Sequence, residues 1–122
     1  MELDMYLYKK VKNAENQDVA YWRKANQIRG WFVRHGLIED NDDGVERPIT
    51  RDDLVSLVAD CEKVLADKNL AQEVLPCTQG FFFGSNEYDE YYFEDLEDTI
   101  DQLNTVLETS TDEDEFFYSD SW

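Results

Sequence analysis

The sequence predicts an α+β domain, with three or four helices packed on a small two- or three-stranded antiparallel sheet. Three observations carry that expectation. The chain opens on a strictly alternating stretch, its middle repeats apolar residues at helical spacing, and 42% hydrophobic residues in a length of 122 suffice for a core without disulfide staples. No internal repeat is visible, so the elements are taken in order.

"ELDMYLYK" places Leu3, Met5 and Leu7 on one side and Asp4, Tyr6 and Tyr8 on the other, the period of a half-buried strand. "VKNAEN" at 11–16 reads as a loop. From Gln17, with Asn16 as candidate cap, a long helix is expected, because Val19, Trp22, Ala25, Ile28 or Arg29, and Phe32 recur three or four residues apart. Gly36 closes it, and Gly30 inside it weakens the helix or permits close packing. "IEDNDDG" is an acidic turn, and "VERPI" a short extended piece that Pro48 keeps out of the middle of a sheet. Thr50 and Asp53 have the spacing of a capping box, before a helix burying Leu54, Leu57, Val58, Cys61, Val64 and Leu65. "DKNLAQEVL" is a short helix capped by Asp67, and "CTQGFFFGS" a second strand that pairs with the first. Ser85 or Asn86 starts the last long helix, whose apolar stripe is Phe93, Leu96, Ile100, Leu103 and Leu107. The expected organisation is one globular body, residues 1–109, and an acidic-aromatic C-terminal tail, residues 110–122.

Charge is the feature that bears on function. Residues 1–68 hold 14 Asp/Glu and all 11 Lys/Arg, a net of −3; residues 69–122 hold 15 Asp/Glu and no Lys or Arg, a net of −15. A self-repelling half destabilises the compact state and disfavours nucleic acid and anionic membranes as direct ligands, so cationic protein surfaces are the natural partners. The carboxylates concentrate in Glu87, Asp89, Glu90, Glu94, Asp95, Glu97, Asp98 and Asp101, with Tyr88, Tyr91 and Tyr92 among them. On a helix, Glu87, Glu90, Glu94, Asp98 and Asp101 follow three- and four-residue steps and form a continuous rail. Eight charges over about 21 Å of axis give one per ~2.6 Å, between the ~1.7 Å of duplex DNA and the ~3.4 Å of one strand. An acidic first turn suits the helix dipole but does not explain the acids further in. Solvation of an ordinary surface is the plain alternative, although surfaces usually mix both signs. In the tail, Asp112, Glu113, Asp114 and Glu115 extend the rail, and Phe116, Phe117, Tyr118 and Trp122 are candidate anchors for a partner. Alternatively, the aromatic residues pack on the body.

Catalytic signatures are weak. Aligning Gly44 with the sixth position of a calcium loop leaves Thr50 where a bidentate Glu is needed. The helical acids suggest magnesium-dependent nucleotide hydrolysis, but the facing helix supplies only Asp60 and Glu62, and no phosphate-cradling loop is present. His35, the only histidine, stands at a helix end where its charge suits the dipole; Cys61 reads as core and Cys77 as a loop residue without metal-ligand spacing. No catalytic residue, metal or cofactor is expected. The opening "MELDMYLYKK" lacks the pattern of a secretory signal, and the expected location is cytoplasmic.

Three segments, "LDMYLYKK" at 3–10, "VAYWRKANQIRGWFV" at 19–33 and "GFFFGSNEYDEYYFEDLEDTI" at 80–100, total 44 residues. Together they resemble a largely uncharacterised family of small proteins from phages and prophages. The resemblance implies a virus-encoded accessory protein in the host bacterial cytoplasm and supplies no catalytic residues. By analogy with small acidic phage inhibitors of host defence, of anti-CRISPR or anti-restriction type, the expected function is mimicry of DNA. The basic cleft it would block belongs to a nucleic-acid-binding protein such as a Cas9-type or Cascade-type CRISPR effector. The competing expectation is a non-catalytic phage interaction or structural protein that binds a basic partner without displacing DNA.

Overall fold

A computed structural model describes residues 2–78 and 86–122. The chain runs β1 (Asp4–Lys9), β2 (Gln17–Arg23), α1 (Asn26–Arg34), β3 (Arg47–Ile49), α2 (Arg51–Ala66), a 3-10 turn (Lys68–Leu70), α3 (Ala71–Val74), α4 (Glu90–Glu108) and β4 (Phe116–Ser121). The fold is α+β, and its sheet has four strands, one more than expected, all antiparallel in the order β2-β1-β4-β3.

β1 behaves as its alternation dictates. Leu3, Met5 and Leu7 are fully buried while Asp4, Tyr6 and Tyr8 face the other way. The expected helix from Gln17 divides in two. Residues Gln17–Arg23 are β2, paired with β1, and only Asn26–Arg34 is helical. Val19 and Trp22 stand at a spacing that suits a helix, yet Ala20 and Trp22 alternate with Tyr21 and Arg23, and pairing with β1 selects the strand. A bulge at Val19, between the Leu7–Ala20 and Tyr8–Asp18 pairs, obscures the period. α1 starts at Ala25 with no side-chain cap, so the sequence carries no start signal there; Asn16 lies in the hairpin loop.

Pro48 lies on β3, an edge strand, where its missing N–H costs no ladder bond. The capping box of α2 is complete: Asp53 N donates to Thr50 Oγ1 at 3.1 Å and Thr50 N to Asp53 Oδ2 at 2.9 Å. Cys61 sits in the core, where burial pushes its thiol up to about 12. Gly36 ends α1 at φ +71°, a left-handed position open to glycine. Gly30 packs against Thr78 so closely that a Cβ there would collide with the Thr78 hydroxyl. Of the expected "CTQGFFFGS" strand, residues 79–85 lie outside the described residues, and Cys77 and Thr78 are not in a strand. Both edges of β1 are occupied, by β2 and β4, which corrects the expected pairing.

The largest correction concerns the C-terminus. Phe116–Ser121 is not an appended tail but a strand inside the sheet, between β1 and β3. Phe116, Tyr118 and Asp120 point into the core and Phe117, Ser119 and Ser121 away from it. A carboxylate at an inward position disguised that alternation. Its partner is Arg29 of α1, wholly buried, whose Nε lies 2.8 Å from Asp120 Oδ2. Tyr118 donates its hydroxyl to the same oxygen at 2.7 Å. Arg29 Nη2 also donates to the carbonyls of Asp40 (2.9 Å) and Asp42 (3.1 Å), which ties down the acidic turn. Asp42 in turn takes a two-pronged bond from Arg47 at 2.8 and 2.9 Å, which holds its carboxyl down at about 2.

Removing one member of a buried ion pair leaves the other charge uncompensated. Asp120→Ala is expected to cost about 3–5 kcal/mol, read as a lower urea midpoint, whereas Arg29→Met combined with Asp120→Leu should recover most of that loss.

Candidate functional site

α4 begins later than expected. Asp89 caps it, accepting from Tyr92 N at 3.1 Å, so this carboxylate serves the helix end and Glu87 precedes the helix. Its buried stripe is Tyr92, Leu96, Thr99, Leu103 and Val106, flanked by half-buried Phe93, Ile100 and Leu107. α4 packs against α2 and against β2. Trp22 donates its indole N–H to Thr99 Oγ1 at 2.8 Å, and Gln102 bonds both the N–H (2.9 Å) and the carbonyl (2.8 Å) of Tyr21. These contacts fix the rotation of the helix, turning Glu90, Glu94, Glu97, Asp98 and Asp101 to the side away from the core.

All five are exposed. At about 100° per residue they fall within an arc of roughly 100°, and they span about 16 Å of axis, a mean spacing of ~4.1 Å over the four intervals. That matches the ~3.4 Å spacing along one DNA strand more closely than the duplex figure. Tyr91, 67% exposed, belongs to the same face, three residues before Glu94 and seven before Asp98.

Many of the chain's cations are engaged elsewhere. Arg23 (2.6 Å) and Lys24 (3.7 Å) pair with Glu2, Arg29 with Asp120, Arg47 with Asp42, and Arg34 donates to the Val74 carbonyl at 3.2 Å. Lys68 lies over the Phe93 ring at 4.6 Å. Among the described residues, no ion pair reaches Glu90, Glu94, Glu97, Asp98 or Asp101. Asp98 accepts only an uncharged bond, from Gln102 at 2.9 Å.

Other expected site residues have different roles. Asp95 is half-buried and accepts from Gln27 at 3.2 Å; burial raises its carboxyl to about 6 against that bond, and the charges of Asp98, Glu94 and Asp89 add to the rise. With Glu87 and Asp89 it lines a cleft of about 310 Å³ whose other wall carries Arg23, Lys24 and Gln27. Of the four tail acids, Asp112 pairs with Arg51 (3.7 Å), Asp114 with Lys9 (3.4 Å) and Glu115 with Lys10 (3.6 Å); Glu113 is exposed. They lie in the turn between α4 and β4, off the α4 face, and three of them face cations of this chain. Phe116 and Tyr118, each 1% exposed, are core and not anchors. Phe117 is half-buried on the outer face of the sheet, and Trp122 donates its indole N–H to the Asp42 carbonyl at 2.7 Å while stacking over Arg29.

His35 caps the end of α1, with Nδ1 2.9 Å from the Trp31 carbonyl and its ring stacked on Trp31. Asp60 accepts from the Trp31 indole at 2.8 Å, and among the described residues no three His, Cys, Asp or Glu side chains converge as metal ligands. Among the same residues, no helix is long and apolar enough to cross a membrane. Compared with protein families, curated proteins and solved structures, the chain matches none of them.

The environment of Asp95 has a pH signature. Its folded-state pKa is raised above the unfolded value, so ionisation opposes folding: the penalty is absent below pH ~4, grows as pH rises through about 6, and is complete above that. Asp95→Asn is therefore expected to raise Tm at pH 7.5. Its advantage over the wild type should shrink steadily as thermal melts are repeated down to pH 4.5.

Proposed function

We propose that this chain is a phage-encoded, non-catalytic inhibitor of a host defence nuclease, acting by mimicry of DNA. Its acidic helix face enters the basic nucleic-acid cleft of an effector of Cas9 or Cascade type. The observation that carries this reading is the unneutralised face of α4. Five carboxylates stand at a mean spacing nearer that of strand phosphates than that of the duplex, on a well-packed helix, while cations of the same chain pair with other acids. Like charges at helical steps repel, so the arrangement costs stability in the free protein and is compensated when a cationic cleft replaces solvent. Glu90, Glu94, Glu97, Asp98 and Asp101 take the places of phosphates, and exposed Tyr91 supplies the apolar contact that the buried C-terminal aromatics do not.

The test is a DNA-cleavage and binding assay with a purified effector, run with wild-type protein and with Glu94→Lys combined with Asp98→Lys. Both positions are exposed, so circular dichroism should show an unchanged fold. The double variant is expected to lose about tenfold or more in inhibition, and added salt should weaken the wild-type complex. Full inhibition by the double variant would refute mimicry. A ternary complex of effector, DNA and this protein would favour the interaction-protein reading, in which DNA is not displaced.

A further inference from the structure

The helices of the described chain pack on one face of the sheet, and the opposite face carries a second pattern. Its register sets Tyr21 of β2 opposite Tyr6 of β1, Tyr8 of β1 opposite Phe117 of β4, and Phe117 opposite Pro48 of β3. Tyr6 stacks on Tyr8 with centroids 6.1 Å apart and planes 15° apart, and lies 5.4 Å from Tyr21. Tyr21 is 45% exposed, and its hydroxyl is held by Asp4 Oδ1 at 2.5 Å, which fixes the ring on the surface. These rings have no role in the core.

Carboxylates border the rings. Asp18 stands opposite Tyr8 in the register, Asp4 lies beside Tyr21, and Glu46 precedes β3. Arg23, the cation on the outward positions of these strands, is occupied by Glu2. The phenol of Tyr8 registers this surround: burial first, then the charges of Asp18, Tyr6 and Glu46, push it up. Aromatic faces inside a carboxylate border attract a planar cation and repel a phosphate backbone, even though a nucleobase could stack on the same rings.

We propose that this outer sheet face is a second docking surface, which receives an arginine-bearing segment of a partner protein, with a guanidinium stacked on the tyrosines and its N–H fork directed at Asp18. Arginine is favoured over lysine because its plane stacks while its fork meets a carboxylate. The surface lies across the sheet from the helices and does not depend on DNA mimicry by α4.

The test titrates ¹⁵N-labelled protein with acetyl-Gly-Arg-Gly-Arg-Gly-amide and with its lysine counterpart, in low salt, following amide shifts. Saturable shifts are expected at Tyr6, Tyr8, Tyr21 and Phe117, with weaker binding of the lysine peptide. Tyr6→Ser combined with Tyr21→Ser should reduce affinity about tenfold, and Asp18→Asn, which leaves the rings in place, should weaken binding as well. The Glu94→Lys, Asp98→Lys variant should bind the peptide on this face as the wild type does, so failure of the mimicry reading leaves this result untouched. Shifts confined to α4, equal binding of both peptides together with indifference to both sets of substitutions, or a single-stranded oligonucleotide taking the face instead would overturn the proposal.

Discussion

The buried ion pair between Arg29 and Asp120 is the constraint on which the rest of the structure depends. It joins the middle of α1 to the end of the last strand, 91 residues away, and the same guanidinium holds two carbonyls of the acidic turn. Trp122 closes over it and bonds the Asp42 carbonyl, while Gly44 N donates to the Asp120 carbonyl at 2.6 Å. Desolvating two charges is expensive, and the mutual attraction compensates only when hydrogen bonds satisfy both groups. Here the Tyr118 hydroxyl and the two carbonyls do much of that, although Asp120 Oδ1 is buried without a hydrogen-bond partner among the described residues, and burial raises the carboxyl's pKa. An apolar pair would hold the layers together as well. The ion pair differs in being directional, with Asp120 Oδ2 meeting both Arg29 Nε and the Tyr118 hydroxyl.

With β4 placed, the acidic half divides into two populations. Asp89, Asp114 and Asp120 are structural: they cap a helix, tie a turn or neutralise a buried cation, while Asp112 and Glu115 make exposed surface pairs. Glu90, Glu94, Glu97, Asp98 and Asp101 do none of these. Helix packing decides the division, because the rotation that buries Leu96, Thr99 and Leu103 leaves the five on the opposite side. Asp95 falls at the margin of the buried stripe, which is why its proton is held more tightly than an exposed aspartate's.

The sheet presents a surface of different character. Its rings are contributed by three strands, and the contributors from β2 and β4 were hidden in the sequence, one inside an apparent helix and the other inside an apparent tail. Gln102 joins the two surfaces at their boundary: its amide occupies the free N–H and carbonyl of Tyr21 on the edge strand and also donates to Asp98. That contact covers part of an edge otherwise open to pairing with another chain.

Local pattern determined the parts of this protein that depend on near neighbours. The alternation of β1, the Thr50–Asp53 capping box, the buried face of α2, the edge position of Pro48 and the acidic side of α4 all follow from spacings of two to four residues. Only the tertiary structure decided the rest, because those choices depend on partners far along the chain. Residues 17–23 satisfy a helical and a strand period together, and pairing with β1 decides between them. Asp120 reads as one more solvated acid until Arg29 is buried beside it, and that contact turns Phe116 and Tyr118 from candidate anchors into core. An ion pair carries no local signature, so it becomes visible only once the chain has closed on itself.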